Sequence, residues 1–140
     1  MILKKILDIY DENKLIITTY SNSTNEELKL NLFYLDTFLY NNHTTALEIL
    51  SAYRPIISYF NKHHYLGSVS YSVIESINMI KELSASNPQS YYNLVMKYIN
   101  SKKSYYKMFD KFYIWIEKSK ILDNKYYAEE FYKKIDAIDL

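Results

Sequence analysis

Residues 87–118, NPQSYYNLVMKYINSKKSYYKMFDKFYIWIEK, decide the fold that the sequence predicts. Apolar side chains recur here every three or four residues, which is the spacing of one face of an α-helix. Asn87 followed by Pro88 is typical of a helix N-cap and the first helical position after it. The polar residues 101–103 interrupt the pattern, so the stretch predicts two consecutive helices.

The same helical spacing extends over most of the 140 residues. Capping boxes at residues 24–27 and 45–48 predict two helix starts, Pro55 predicts a break near Tyr53 and Arg54, and Gly67 predicts a helix end. A helix is predicted to resume over residues 56–60, and others to start at Ser70 and at Asp123-Asn124. Whether the run Leu15–Tyr20, which is rich in β-branched residues, forms a helix or a strand is left open.

Chain-breaking residues are scarce, since there are one glycine and two prolines. The chain has no Asn-Gly or Asp-Gly dipeptide, which the tight turns of hairpins favour. The sequence therefore predicts a single all-α domain over residues 1–140, a compact bundle of six or seven short helices. Residues 84–88 are predicted to be a loop, with Pro88 also the first position of the next helix.

Few side chains suggest chemistry. The chain has no cysteine, which excludes disulfides, a thiol nucleophile and Cys-ligated zinc, and a lone Gly67 cannot form a glycine-rich phosphate loop. His63 and His64 are adjacent, so on a helix they point about 100° apart and cannot hold one metal ion together. Adjacent carboxylates likewise point apart. The sequence predicts no enzyme, no catalytic residue, no cofactor and no metal.

Arg54 is the one arginine of the chain. Its planar, always charged side chain favours a buried or interface ion pair. We predict Asp36 or Glu48 as its partner.

Charge is unevenly distributed although the net charge is +1. Seven acidic residues and two lysines lie between Asp8 and Glu48, whereas five lysines and one aspartate lie between Tyr91 and Lys111. Either region can steer a charged partner. No apolar stretch approaches the roughly 20 residues that cross a bilayer, and the acidic start does not resemble a signal peptide. We therefore predict a cytoplasmic location.

Tyrosine is unusually frequent, with 17 residues. Tyr91, Tyr105 and Tyr126 are separated by multiples of seven, so they return to nearly the same helix face. Exposed tyrosine is favoured at protein interfaces. The predicted interface residues are Tyr91, Tyr105, Trp115, Tyr126, Lys102, Lys103, Lys107, Asp11, Glu12, Glu26, Glu27 and Asp36.

By elimination, the sequence predicts a non-enzymatic protein-binding module. In its small size, its lack of cysteine and its predicted helical bundle, the chain is similar to the immunity and antitoxin proteins that neutralise a toxin or effector. The alternatives are a virus-encoded helical inhibitor of a host protein and a nucleic-acid-contacting protein that uses the Tyr/Lys segment 91–113. The predicted partner is another protein, with nucleic acid less favoured and no membrane. A homo-oligomer is left open.

Overall fold

The computed structural model describes residues 28–29, 31–37, 41–60 and 68–138. In these ranges three short strands and six helices follow one another. The strands are β1 (Tyr34–Leu35), β2 (Ile56–Tyr59) and β3 (Ser84–Ala85). The helices are α1 (Thr44–Ser51), α2 (Val69–Ser76), α3 (Ile80–Leu83), α4 (Pro88–Asn100), α5 (Lys102–Lys118) and α6 (Asn124–Asp136). The described part of the chain is mostly helical, as predicted.

A small parallel sheet corrects the all-α prediction. β2 lies between β1 and β3 and pairs in parallel with both, with Tyr34 opposite Ile56 and Ser58 opposite Ser84. Scarce glycine excludes tight hairpins, but parallel strands are joined by crossover helices and need no hairpin turn. Scarce glycine is therefore compatible with the β–α–β arrangement that the chain adopts.

β2 replaces the helix that was predicted to resume after Pro55. The predicted break is confirmed, because α1 ends at Ser51 and Tyr53 has a φ of 55°. Beyond the proline, Ile56 and Ile57 are almost completely buried. Continuous apolar burial of β-branched residues is typical of a central parallel strand.

The other two strands also lie where no strand was predicted. β1 interrupts the helix predicted to follow residue 24, and β3 occupies the start of the predicted loop. Each has two residues, which is too short to show an alternating pattern in the sequence. Pairing with β2 is what stabilises them as strands.

Two predicted helix starts are confirmed and one is wrong. The Asn87 side chain accepts from the backbone N–H of Ser90 at 2.8 Å, and Asp123 caps α6 in the same way. The capping box at residues 45–48 does not form, because α1 begins at Thr44 with His43 rather than Thr45 as its N-cap, and His43 makes no side-chain capping bond. The helix predicted from Ser70 is split into α2 and α3, and Asn78 between them has a φ of 53°.

The core surrounds β2, which packs against α1, α2 and α4. α5 adds Met108 and Phe112 to the same core. α6 differs, since none of its residues is buried. Tyr127, Phe131, Ile135 and Ile138, which recur at helical spacing on α6 and just beyond it, are all exposed.

Arg54 does not form the predicted ion pair. Its Nε and Nη2 donate to the backbone carbonyl oxygen of Lys29 at 3.1 and 2.5 Å. The guanidinium carbon also lies 5.9 Å from the centre of the Phe109 ring. A backbone carbonyl and an aromatic face thus replace the expected carboxylate, and Arg54 joins the segment before β1 to α5.

Several sequence predictions concern residues outside the described ranges. These are Asp11, Glu12, Glu26, Glu27, the capping box at residues 24–27, the run Leu15–Tyr20, the pair His63-His64 and Gly67. None of the helices in the described ranges has the length and apolar content that a membrane crossing requires.

Candidate functional site

Asp36 follows β1 at the carboxyl edge of the sheet, and its carboxylate holds the adjacent loop in place. Oδ2 accepts from the Ser58 hydroxyl at 2.7 Å. Oδ1 accepts from the backbone N–H groups of Thr37 at 3.1 Å and Asn42 at 2.8 Å. Asp36 is only 6% exposed, so this predicted interface residue lies inside the fold with both oxygens bonded.

Tyr91 attaches the first turns of α4 to the same edge. Its hydroxyl donates to the backbone carbonyl oxygen of Asp36 at 3.1 Å, and the carbonyl oxygen of Ile57 lies 3.4 Å away. Burial and the nearby Asp36 charge raise the pKa of Tyr91 to about 12. The predicted interface role does not match this anchored, half-buried side chain.

A cavity of about 570 Å³ opens beside the carboxyl ends of β2 and β3. We call this space the edge cavity. One wall is aromatic, since Phe60 directly follows β2 and its ring stacks on Tyr71 with the centroids 4.1 Å apart. The backbone N–H of Phe60 donates to the carbonyl oxygen of Ala85 at 2.8 Å, which fixes this wall to β3. Ligands of open parallel sheets bind outside the carboxyl ends of the strands, which is where this cavity lies.

Another part of the lining is one side face of α4, with Ser90, Asn93, Leu94 and Lys97, and Ser86 just before the helix. Ser86 and Asn93 supply polar groups, and Lys97 supplies an ammonium group that attracts an anion. The edge cavity can therefore bind a ligand that combines a flat ring with a negatively charged group.

The edge cavity provides binding groups rather than proton-transfer groups. Among the described residues that line it, none carries a carboxylate or an imidazole. The described part of the chain also contains no group of three or more residues suited to hold a metal ion.

The other predicted interface residues do not form one surface. Tyr105 is buried and its hydroxyl donates to the Leu32 carbonyl oxygen at 3.0 Å, while Trp115 is half-buried. Tyr126 is exposed, as are Lys102, Lys103 and Lys107. A repeat of seven along the sequence does not keep one face through three separate helices, so Tyr91, Tyr105 and Tyr126 meet different surroundings.

Sequence reasoning missed the aromatic wall of the edge cavity. Phe60 and Tyr71 meet only because β2 and α2 pack against each other, and neither residue belongs to a motif. The Asn87-Pro88 start of α4 was a usable signal. A capped helix directly after a short apolar segment is also the β–α junction that binds anions in parallel sheets.

The comparisons with known proteins point to a transferase. The model of glycosyl transferase family 41 matches residues 8–131, whereas no curated protein matches the chain. This finding overturns the predicted non-enzymatic immunity or antitoxin module and its alternatives, together with the prediction that the chain is no enzyme. Elimination failed because it excludes only activities whose reactive side chains are recognisable in the sequence, and an enzyme can also act by binding and orienting its substrates.

The family match includes all three strands and reaches into α6. It also spans both walls of the edge cavity. Because it extends over most of the sequence, the chain belongs to glycosyl transferase family 41.

Proposed function

We propose that the chain takes part in glycosyl transfer and that the edge cavity binds the sugar donor. In such a reaction the bond between the sugar C1 and its leaving-group oxygen breaks, and the leaving group keeps the electron pair. C1 forms a bond to an acceptor oxygen or nitrogen, whose proton passes to the leaving group or to solvent. A sugar carried on a nucleoside diphosphate is one such donor. The observation that carries the proposal is a family match that includes a cavity at the carboxyl edge of a parallel sheet.

The two walls suit the two parts of such a donor. The stacked rings of Phe60 and Tyr71 offer an apolar face on which a base or a sugar ring can pack. Lys97 and Ser86 line the same cavity and can bind a phosphate group. Negative charge that develops on a departing phosphate is stabilised by the same groups.

The test is a sugar-transfer assay with the purified chain, a panel of nucleoside diphosphate sugars and a mixed pool of acceptors. The rate is measured as release of the nucleoside diphosphate. Tyr71→Leu is expected to lower the rate strongly because it removes half of the aromatic wall. Tyr92→Leu is the matched control, since Tyr92 is 58% exposed and does not line the edge cavity. Equal activity of the two variants would exclude the edge cavity as the donor site.

A protein acceptor is consistent with this proposal. Exposed apolar side chains are frequent on α6 and just beyond it, and such patches mark contact surfaces; they are Tyr126, Tyr127, Phe131, Tyr132, Ile135 and Ile138. We therefore retain a protein as the proposed partner, now as the substrate that receives the sugar. The cytoplasmic location stays a prediction.

A further inference from the structure

A second cavity, of about 410 Å³, lies where α4 and α5 meet. We call it the lysine cavity. Ser101 is the only residue between the two helices, so their adjoining turns are held close together. Ser104, Lys107 and Lys111 are spaced by three and four residues, which places them on one face of α5. Lys97 from α4 completes the set of three lysines.

The charges that line the lysine cavity do not balance. Glu82 is its one lining carboxylate, and Lys111 Nζ lies 2.6 Å from Glu82 Oε1. Lys97 and Lys107 form no ion pair with any carboxylate in the described part of the chain. Two positive charges therefore remain, and Lys97 is held over the Tyr98 ring with its nitrogen 5.3 Å from the ring centre.

The remaining walls set the size and character of a ligand. Tyr98 and Met108 are each 3% exposed and form an apolar side of the cavity. The Tyr98 hydroxyl donates to the Glu82 carbonyl oxygen at 2.7 Å, which fixes the ring in place. The volume falls within the range of small-molecule sites, about 300–1,000 Å³. A phosphate monoester carries close to two negative charges near neutral pH, which matches the two unpaired lysines.

We propose that the lysine cavity binds a small phosphorylated molecule through Lys97, Lys107 and Lys111. This site goes beyond the proposed donor site, from which it differs in every lining residue except Lys97. The ammonium groups bind the phosphate, and the Tyr98 and Met108 side chains contact the body of the molecule. Lys97 on α4 lines both cavities, so a ligand that binds Lys97 in one cavity can change the affinity of the other.

The test is an NMR titration of the backbone amides with inorganic phosphate and with phenyl phosphate, at constant ionic strength set by chloride. Saturable shifts are expected at Ser104 and Lys107. Lys107→Gln should weaken binding about tenfold, which is the effect of losing one charged hydrogen bond. Lys103→Gln is the matched control, because Lys103 lies on the same helix, is exposed and does not line the cavity.

The results that overturn the proposal are equally specific. Equal weakening by Lys103→Gln and Lys107→Gln would show diffuse attraction to a basic surface rather than a site. Binding of a short oligonucleotide without binding of either phosphate probe would assign the lysines to nucleic acid instead. Tyr71→Leu, which changes the edge cavity without changing any charge, should leave the phosphate titration unchanged, so failure of the donor proposal is recognised separately.

Discussion

The Tyr91 hydroxyl donates a hydrogen bond of 3.1 Å to the backbone carbonyl oxygen of Asp36, across 55 residues of sequence. This contact joins the first turns of α4 to the residue that follows β1. The Asp36 carboxylate in turn accepts from Ser58 in β2. The carboxyl edge of the sheet and the helix that forms one wall of the edge cavity are therefore fixed relative to each other.

Tyr91→Phe is expected to lower the free energy of unfolding by about 1 kcal/mol, since it removes one hydrogen bond and leaves its acceptor without that donor. Urea denaturation measures the change. Tyr92→Phe, on the exposed neighbouring ring, should have almost no effect. The same loss in both variants would mean that the hydroxyl does not bind the edge of the sheet.

Asp36→Ala should destabilise the chain by on the order of 3 kcal/mol, because the Ser58 hydroxyl and two backbone N–H groups lose a charged acceptor. Ser58→Ala should cost less in the Asp36→Ala background than alone, with a coupling of about 1 kcal/mol. A double-mutant cycle from denaturation data measures this coupling. Strictly additive losses would contradict the hydrogen bond between the two side chains.

Stability should fall as the pH rises from 10 towards 12. Burial, and to a smaller extent the nearby Glu82 charge, raises the pKa of Tyr98 from 10.0 to about 12. The pKa of Tyr91 is also raised to about 12, by burial and the Asp36 charge. In this window the unfolded chain releases tyrosine protons that the folded chain keeps, so alkali favours unfolding. Absorbance of tyrosinate should show groups that ionise above pH 10, and Tyr98→Phe should remove one of them. Ionisation of all tyrosines near pH 10 in the folded chain would disprove the prediction.

Asn78 is expected to tolerate glycine but not a β-branched residue. Its φ of 53° lies in the left-handed region, which asparagine and glycine adopt more readily than other residues. Asn78→Val should therefore cost about 1–2 kcal/mol, whereas Asn78→Gly should be close to neutral. Thermal unfolding of the two variants measures the difference, and a valine variant as stable as the glycine variant would show that the turn is not strained.

The sequence predicted the helices of the C-terminal half well because their signals are local. Asn87 caps α4, Asp123 caps α6, and the apolar spacing of α5 continues through 17 residues. The strands gave no such signal. Tyr34 and Leu35 become a strand only through hydrogen bonds to the β2 segment, which lies more than 20 residues away.

The candidate site was harder to predict than the helices. One side of the cavity comes from α4, a helix whose Asn87-Pro88 start the sequence shows, but its aromatic wall needs Phe60 and Tyr71 to be brought together by packing. The family was missed for a related reason, since the sequence prediction rested on reactive residues and the edge cavity is lined by groups that bind rather than transfer protons.

Binding of nucleoside diphosphates to the edge cavity tests the central claim most directly. Ser90→Glu and Gln89→Glu both add a carboxylate to the first turn of α4, where acidic residues stabilise a helix, but only Ser90 lines the cavity. Calorimetric titration should show binding to the native chain, binding about tenfold weaker for Ser90→Glu, and little change for Gln89→Glu. No binding to the native chain, or the same affinity for both variants, would contradict the assignment of the edge cavity as the donor site.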